Sequence, residues 1–221
     1  MKKNPILGII GGGQLGSLFA TAAKKLNIKT YILSDDPEAP AKKFCDNFII
    51  SDYNKIKNIE EFANKVDVVT FEFENIPYKI LEHIAKLKPV LPKPAVNQIV
   101  QNRFTEKKFI LITAGAFPES GIKTANYALI KEKSDILKNE VLLPGILKTC
   151  TLGYDGKGQF IINNAEDVNK LQIDFDKEYI LEKKIILKKE ISIIVTRFSN
   201  NECLIFDPFE NYHVNQILNR S

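Results

Sequence analysis

The first hundred residues alternate short apolar runs with stretches in which apolar residues recur at helical spacing. The short runs predict buried strands, and the i, i+3, i+4 repeats predict helices packed against them. The predicted strands lie at 5–10, 28–33, 47–50 and 66–71, and the predicted helices at 14–26, 59–65 and 78–86. Strands that alternate with helices indicate an α/β fold with a doubly wound parallel sheet, covered by helices on both faces.

A second pattern begins after the prolines at 89, 92 and 94. A helical repeat over 97–113 is expected to stop near Gly115, because glycine is common at helix ends. A second region starts after Pro118. It predicts helices at 127–137 and 165–171, and strands at 145–149, 159–162, 178–185, 190–198 and 202–206.

Charge and cysteine content exclude several classes of protein. The chain has 221 residues, 31 basic and 27 acidic, and the charges are interspersed. A nucleic-acid surface needs clustered basic residues, so no nucleic-acid partner is expected, whereas a small anionic substrate is compatible. The three cysteines are far apart, which predicts reduced, mostly structural thiols. No apolar run approaches the length that spans a bilayer, so we predict no membrane association and a cytoplasmic location.

A glycine loop, GGGQLG at 11–16, follows the first predicted strand and opens a helix. It matches G-x-G-x-x-G, and Asp35 and Asp36 lie where a dinucleotide site would place its ribose-binding acid. Glycines also suit any first turn of such a sheet, and any small phosphate could use the same amides. The loop alone therefore leaves NAD, another phosphate and a purely structural turn equally open.

A second glycine-rich loop lies within LKTCTLGYDGKGQF, residues 147–160. Its glycines could simply form a hairpin turn. Lys148, however, ends an otherwise apolar strand, where an ammonium group is costly unless it meets an anion. Lys157 adds a second cation at the tip. A glycine hairpin with flanking lysines suits a lid over a polyphosphate, and it is not a Walker A loop.

Acidic residues and one histidine follow this loop. Glu182 and Glu190 flank β-branched strands, where they suit either a solvated edge or contacts to an adenine amine and ribose hydroxyls. His213 lies in a polar cluster with Glu210 and Asn211, and is the better functional candidate of the two histidines. His83 lies in a charged helical stretch and is predicted to be at the surface.

Eight segments taken in order resemble the 5-(carboxyamino)imidazole ribonucleotide synthases, a family of ATP-grasp carboxylases in purine biosynthesis. They are GIIGGGQLG at 8–16, DVVTFEFENIP at 67–77, QNRFTEKKF at 101–109, ILKT at 146–149, GYDGKGQ at 153–159, ILEKKI at 180–185, EIS at 190–192 and ENYHVNQIL at 210–218. The resemblance implies a ribonucleotide-binding pre-ATP-grasp domain at 1–107, an ATP-grasp lid at 108–181, and an incomplete C-terminal subdomain at 182–221.

The resemblance also implies a reaction and its residues. ATP phosphorylates bicarbonate to carboxyphosphate, which carboxylates 5-aminoimidazole ribonucleotide, with Mg²⁺ offsetting the polyphosphate charge. The implied ATP-binding residues are Arg103, Lys148, Gly153, Tyr154, Asp155, Gly156, Lys157, Gly158, Gln159, Glu182, Lys183, Lys184, Ile185, Glu190 and His213. Substrate-binding residues are Gln14, Leu15, Glu72 (with Glu74 as the alternative), Tyr154 and Lys157, and the catalytic set is Lys148, Tyr154, Asp155 and Lys157.

The sequence departs from the family pattern in two places. Asn102 stands where the family carries aspartate, and the family's two acidic magnesium ligands have no counterpart before Ser221. We therefore expect no metal ligand in this chain and little or no turnover by the chain alone, although full-length members are expected to be homodimers. Three alternatives remain: a nicotinamide dehydrogenase, a non-catalytic ribonucleotide- or ATP-binding remnant, and another ATP-grasp enzyme such as formate-dependent glycinamide ribonucleotide transformylase.

Overall fold

A computed structural model of the chain describes residues 4–116, 123–153, 157–214 and 217–221. The chain divides into two compact units, Met1–Glu106 and Lys107–Ser221. The further division of the second unit at residue 181 stays a prediction. Among the described residues, no helix is both long and apolar enough to cross a membrane.

A four-stranded parallel sheet forms the centre of the first unit. Its strands are β1 (Ile6–Ile10), β2 (Lys29–Ser34), β3 (Asn47–Ile50) and β4 (Val68–Phe71), in the order β3-β2-β1-β4. The helices of this part of the chain are α1 (Gln14–Lys25), α2 (Ile56–Asn64), α3 (Tyr78–Ala85) and α4 (Pro94–Val100). This agrees with the predicted alternation of strands and helices.

Neighbouring residues of the central strands face opposite sides of the sheet, as strand geometry requires. Ile9 and Ile32 pack with Ala20 of α1 on one side. Ile10 and Leu33 belong to the larger core on the other side, with residues of α2 and α3. Both faces are therefore buried, which explains why the strands read as continuous apolar runs.

The single helix predicted at 97–113 is wrong, because the chain breaks it into α4 and α5 (Arg103–Ala116). The side chain of Asn102 accepts hydrogen bonds from the backbone N–H groups of Phe104 at 2.9 Å and Thr105 at 3.2 Å. These bonds satisfy two amides that a helix start would leave without partners. The helix then continues past Gly115 to Ala116.

The second unit is built on an antiparallel sheet. Its strands are β5 (Tyr127–Ile130), β6 (Gly145–Thr149), β7 (Gln159–Ile162) and β8 (Tyr179–Lys183), in the order β5-β8-β6-β7. Helices α6 (Lys133–Lys138) and α7 (Ala165–Lys170) cover one face. Ile136 of α6 and Val168 of α7 pack there against Leu147 and Leu181.

The predicted helix at 127–137 is also wrong in its first half. Tyr127–Ile130 pairs with β8 as a strand, and only Lys133–Lys138 is helical. The carboxylate of Asp135 accepts from the N–H groups of Lys131 at 3.0 Å and Glu132 at 3.2 Å, which starts the helix after them. Edge pairing with β8 thus overrides a local helical pattern.

Six short strands follow β8. They pair as β9 (Ile191–Ser192) with β12 (Phe209–Glu210), β10 (Val195–Arg197) with β11 (Cys203–Ile205), and β13 (Tyr212–Val214) with β14 (Ile217–Arg220). The continuous strand predicted at 190–198 is therefore divided in two. None of the three cysteines is in a disulfide bond; Cys45 is half-buried, Cys150 is buried and Cys203 is exposed.

Candidate functional site

Two lysines converge on one carboxylate oxygen in the second unit. Oε2 of Glu182 lies 3.0 Å from Nζ of Lys148 and 3.3 Å from Nζ of Lys107. The three side chains are only 13%, 22% and 17% exposed, so solvent screens them poorly. The group carries one surplus positive charge. Lys148 therefore meets a carboxylate of the protein, and its predicted contact with a polyphosphate stays a prediction.

The sheet itself explains this convergence. Leu147 and Leu181 point into the core beneath α6 and α7, so their successors Lys148 and Glu182 point to the opposite face. Lys107, on α5, reaches the same carboxylate. It also lies 3.4 Å from Oγ1 of Thr124 and 5.9 Å from the centre of the Tyr127 ring. Sequence reasoning missed Lys107, although it stands four residues after Arg103 on the same helix.

The second glycine loop joins β6 to β7 as a hairpin, as predicted, with Lys148 paired to Gln159. Gly158 has φ +71°, a conformation that favours glycine, and its carbonyl accepts from Thr149 N–H at 2.9 Å. The loop borders a cavity of about 310 Å³ lined in part by Lys157 and Lys177. Lys177 was not predicted. Gly153 and Lys157 flank the loop tip, while Tyr154, Asp155 and Gly156 lie outside the described residues.

The predicted adenine hinge follows β8. The backbone N–H of Lys183 donates to Asn126 at 2.8 Å, and that of Lys184 donates to Pro144 at 2.9 Å. These bonds hold the segment against the sheet. Ile185 is exposed, and its N–H has no partner within the part of the chain that the structure describes. The hinge thus offers one available donor at a fixed position.

Two further predicted residues come together near the end of the chain. Nδ1 of His213 lies 3.4 Å from Oε1 of Glu190. The backbone of Asn211 donates to the carbonyl of Glu190 at 2.8 Å, and the Asn211 side chain donates to Ser192 Oγ at 2.6 Å. Glu190 is thereby anchored through its backbone, and the imidazole orients its carboxylate.

In the first unit, Glu72 reaches back to the first glycine loop. Its Oε1 accepts from Gly13 N–H at 2.7 Å, and its Oε2 accepts from Gly16 N–H. Gln14 and Leu15, between these glycines, are exposed. The predicted ligand loop is therefore partly occupied by a carboxylate of the protein. Asp36 is exposed and accepts from Glu38 N–H at 2.8 Å.

Glu72 and Glu74 both line a pocket of about 190 Å³ with Phe71, Phe73 and Asn97. Asn97 is fully buried and donates through Nδ2 to the carbonyl of Ile76 at 2.9 Å. Its Oδ1 has no hydrogen-bond partner among the described residues. A buried acceptor without a partner is costly, and a ligand N–H would satisfy it. Sequence reasoning missed Asn97, since nothing in PAVNQIV marks it.

Within the described ranges, no group of three or more His, Cys, Asp or Glu side chains comes together to hold a metal ion. Arg103 is the first residue of α5, and its predicted contact with nucleotide stays a prediction.

Both units match models of known protein families. Residues 1–101 match the model of the ribonucleotide synthetase pre-ATP-grasp domain, and residues 115–221 match that of the ATP-grasp domain. The N5-carboxyaminoimidazole ribonucleotide synthase of Bacillus subtilis is 37% identical over 98% of this chain and 56% of its own length. The chain thus spans about half the length of the relatives that it matches.

Solved structures agree with this match. The Staphylococcus aureus N5-carboxyaminoimidazole synthetase complexed with ADP has a TM-score of 0.88 and 36% identity, over 99% of this chain and 57% of that one. An Aspergillus clavatus N5-carboxyaminoimidazole synthase in complex with ADP and 5-aminoimidazole ribonucleotide has a TM-score of 0.82 and 25% identity, over 99% of this chain and 56% of that one.

A parallel-sheet pre-ATP-grasp domain followed by an ATP-grasp domain defines an ATP-grasp protein of the ribonucleotide synthetase type, which confirms the predicted α/β fold. Within that class, the chain is similar over nearly its whole length to the N5-carboxyaminoimidazole ribonucleotide synthases, as the resemblance indicated. A nicotinamide dehydrogenase built on the glycine loop is not supported.

Proposed function

We propose that these residues supply the ribonucleotide-binding domain and the nucleotide lid of an N5-carboxyaminoimidazole ribonucleotide synthase. In this reaction, bicarbonate oxygen attacks the γ-phosphorus of ATP, and ADP leaves. The carboxyphosphate formed releases CO₂ and phosphate, and the exocyclic amine of 5-aminoimidazole ribonucleotide attacks that CO₂ and loses a proton. Such chemistry depends mainly on positioning and on neutralising phosphate charge.

The observation that carries the proposal is the pair of lysines on Glu182. Because Lys107 and Lys148 share one oxygen, either ammonium group can turn to a phosphate oxygen while the other keeps the carboxylate neutralised. Fixed charges in a poorly screened site stabilise a transferring phosphoryl group without costly reorganisation. We assign phosphate binding to Lys148, and a positioning role to Lys107.

The remaining ATP contacts follow from the geometry around these lysines. The free N–H of Ile185 suits a ring nitrogen of adenine, and Glu190, oriented by His213, suits the ribose hydroxyls. Lys157 and Lys177 at the hairpin cavity suit the outer phosphates. Roles for Arg103, Tyr154, Asp155 and Gly156 rest on the family resemblance and form part of the proposal.

For the ribonucleotide, the pocket beside Glu72 and Glu74 offers acceptors to the N–H groups of an aminoimidazole. The orphan Oδ1 of Asn97 adds a neutral acceptor in the same pocket. The exposed residues Gln14 and Leu15 at the start of α1 suit the phosphate end. We further propose MgATP as the nucleotide species, a homodimer as the assembly and the cytoplasm as the location.

Calorimetric titration with MgATP tests the proposal. Replacing both Lys107 and Lys148 by methionine is expected to weaken binding by about one to two orders of magnitude, since the charge-assisted contact of Lys148 contributes about 1.5–3 kcal/mol. Lys131→Met is the matched control, because Lys131 is 65% exposed and pairs with Glu178 at the surface. Equal affinity in the double variant and the control would refute the nucleotide assignment.

Titration with ribonucleotides tests the proposed ribonucleotide site. The chain should bind 5-aminoimidazole ribonucleotide more tightly than glycinamide ribonucleotide, because the pocket beside Asn97 is flanked by the aromatic rings of Phe71 and Phe73, which suit a flat heterocycle. A preference for glycinamide ribonucleotide would favour the formate-dependent transformylase instead.

A further inference from the structure

Glu72 takes the place that a bound anion takes in glycine loops of this kind. It follows β4 directly, and its two oxygens accept from the N–H groups of Gly13 and Gly16 at the start of α1. In dinucleotide-binding loops, the corresponding amides face a pyrophosphate. Helix α1 has no acidic residue in its first turn and no side-chain cap of its own. Glu72 therefore provides the negative charge at this helix end.

We propose that Glu72 is a built-in anion that determines the ligand specificity of the glycine loop. It fills the inner half of the loop and excludes pyrophosphate and dinucleotides from it. The amides of the exposed residues Gln14 and Leu15 remain for an external ligand, since neither has a partner among the described residues. This inference does not depend on the ATP assignment, because all its residues lie in the first unit.

The glycines themselves support this role. Gly13 has φ −73°, which any residue adopts, so its backbone does not require glycine. A Cβ atom at this position would collide with Oε1 of Glu72, and the three atoms nearest to it all belong to that carboxylate group. A Cβ at Gly16 would collide with Oε2 and would also lie 3.0 Å from the carbonyl oxygen of Gly11. The carboxylate of Glu72, and not an external ligand, is therefore the main reason that positions 13 and 16 require glycine.

Charge leads to the same conclusion. The N-terminus of a helix carries about half of a positive charge, which the full charge of a carboxylate outweighs. A pyrophosphate placed against the loop would meet net negative charge and would have to displace two hydrogen bonds. A phosphate monoester at Gln14 and Leu15 must consequently find its counter-charge outside the loop.

Binding of inorganic pyrophosphate and of NADH, each measured by calorimetry on the full chain, tests the proposal. With the nucleotide site of the second unit saturated by ADP, the wild type should bind neither ligand detectably, whereas Glu72→Ala should bind pyrophosphate at least about ten-fold more tightly than the wild type. Glu74→Ala removes the same charge from the neighbouring exposed position and should not gain. Gain in both variants would show a general charge effect, and gain in neither would show that Glu72 does not exclude the ligand; either result would overturn the proposal.

A second variant and a set of melting temperatures test the proposal if Glu72→Ala folds poorly. Glu72→Gln keeps the side-chain volume but satisfies only one of the two amides, so it should fold and still gain some pyrophosphate affinity. Gly13→Ala should lower the melting temperature by about 5 °C in the wild type and in Glu72→Gln, whose side chain has the same volume. In the Glu72→Ala background the loss should be much smaller. An equal loss in every background would show that the carboxylate does not account for the glycine.

Discussion

Lys148 and Glu182 form a hydrogen-bonded ion pair across adjacent strands, with Nζ and Oε2 3.0 Å apart. Lys107 shares the same oxygen at 3.3 Å, so Glu182 is the counter-charge of two poorly exposed ammonium groups. We expect Glu182→Gln to lower the free energy of unfolding by about 2 kcal/mol, because it leaves both charges without a carboxylate. Urea denaturation measures this change.

The pair formed by Glu178 and Lys131 is the control for that experiment. Their side chains are 48% and 65% exposed, and Glu178 Oε1 lies 3.3 Å from the ammonium group. Glu178→Gln should change stability by no more than about 0.5 kcal/mol, since exposed ion pairs contribute little. If both variants cost the same, Glu182 does not hold the two lysines as described.

The hairpin lid depends on the conformation of Gly158. Its φ is +71°, and an added Cβ would lie 2.7 Å from Oγ1 of Thr149. Gly158→Ala should therefore destabilise the protein by about 1–3 kcal/mol, through backbone strain and the contact with Thr149. Thermal unfolding followed by circular dichroism gives the measurement.

Replacing glycine by alanine should have the opposite effect on stability at Gly115. It is the last residue but one of α5, and no atom of the described residues comes within 4 Å of an added Cβ. Gly115→Ala should stabilise the protein by up to about 1 kcal/mol, because alanine favours helix more than glycine does. A loss of stability at Gly115 comparable to that at Gly158 would contradict the distinction between the two sites.

The ionised carboxylate of Asp167 stabilises the folded protein, and this contribution is lost at acid pH. The backbone N–H of Asn163 donates to Oδ2 of Asp167 at 2.9 Å, and this bond is the largest cause that lowers the pKa of Asp167. A hydrogen bond from the Asn163 side chain, the charge of Lys170 and a backbone hydrogen bond from Asn164 lower it further. Because the pKa is lower in the folded state, the stabilisation is present above the unfolded pKa of about 3.9 and is lost as pH falls through the folded pKa.

Asp167→Asn should accordingly lower the melting temperature at neutral pH and reduce its decline below about pH 4. Melting temperatures measured from neutral to acid pH test this, with Asp176→Asn as an exposed control of equal charge change. An acid decline that is as steep in Asp167→Asn as in Asp176→Asn would count against the assignment.

Substitution of Asn97 should weaken ligand binding and leave the stability of the protein nearly unchanged. Asn97→Leu should leave stability within about 1 kcal/mol, because Gln101 also donates to the carbonyl of Ile76 and keeps it satisfied. Loss of the Oδ1 acceptor should weaken 5-aminoimidazole ribonucleotide about ten-fold, the value of one hydrogen bond in a buried pocket. Unchanged affinity, measured by calorimetry, would remove Asn97 from the pocket's function.

Much of the fold could be predicted because local patterns and the tertiary structure agree. The four parallel strands of the first unit and the β6–β7 hairpin were found from apolar runs and glycine spacing. The errors lie where one pattern fits two structures. Tyr127–Ile130 has helical spacing but pairs with β8, and Asn102 starts a new helix inside an apparently continuous repeat.

The candidate site was predicted less completely. The sequence motifs pointed to Lys148, Glu182, Glu190 and His213. The structure brings Lys148 to Glu182 and His213 to Glu190. Lys107 and Asn97 were not found, because a lysine on an exposed helix and an asparagine near a proline have no distinctive local signature. Their importance comes from partners far away in sequence.

By itself, the sequence determined the alternation of elements, the two glycine loops and the family, because these depend on spacing along the chain. Only the tertiary structure decided which charges meet. It placed the carboxylate of Glu72 on Gly13 and Gly16, and joined Lys107 and Lys148 on Glu182. Such contacts span 34 to 75 residues along the chain, and only packing of the strands and helices brings their partners within hydrogen-bond range.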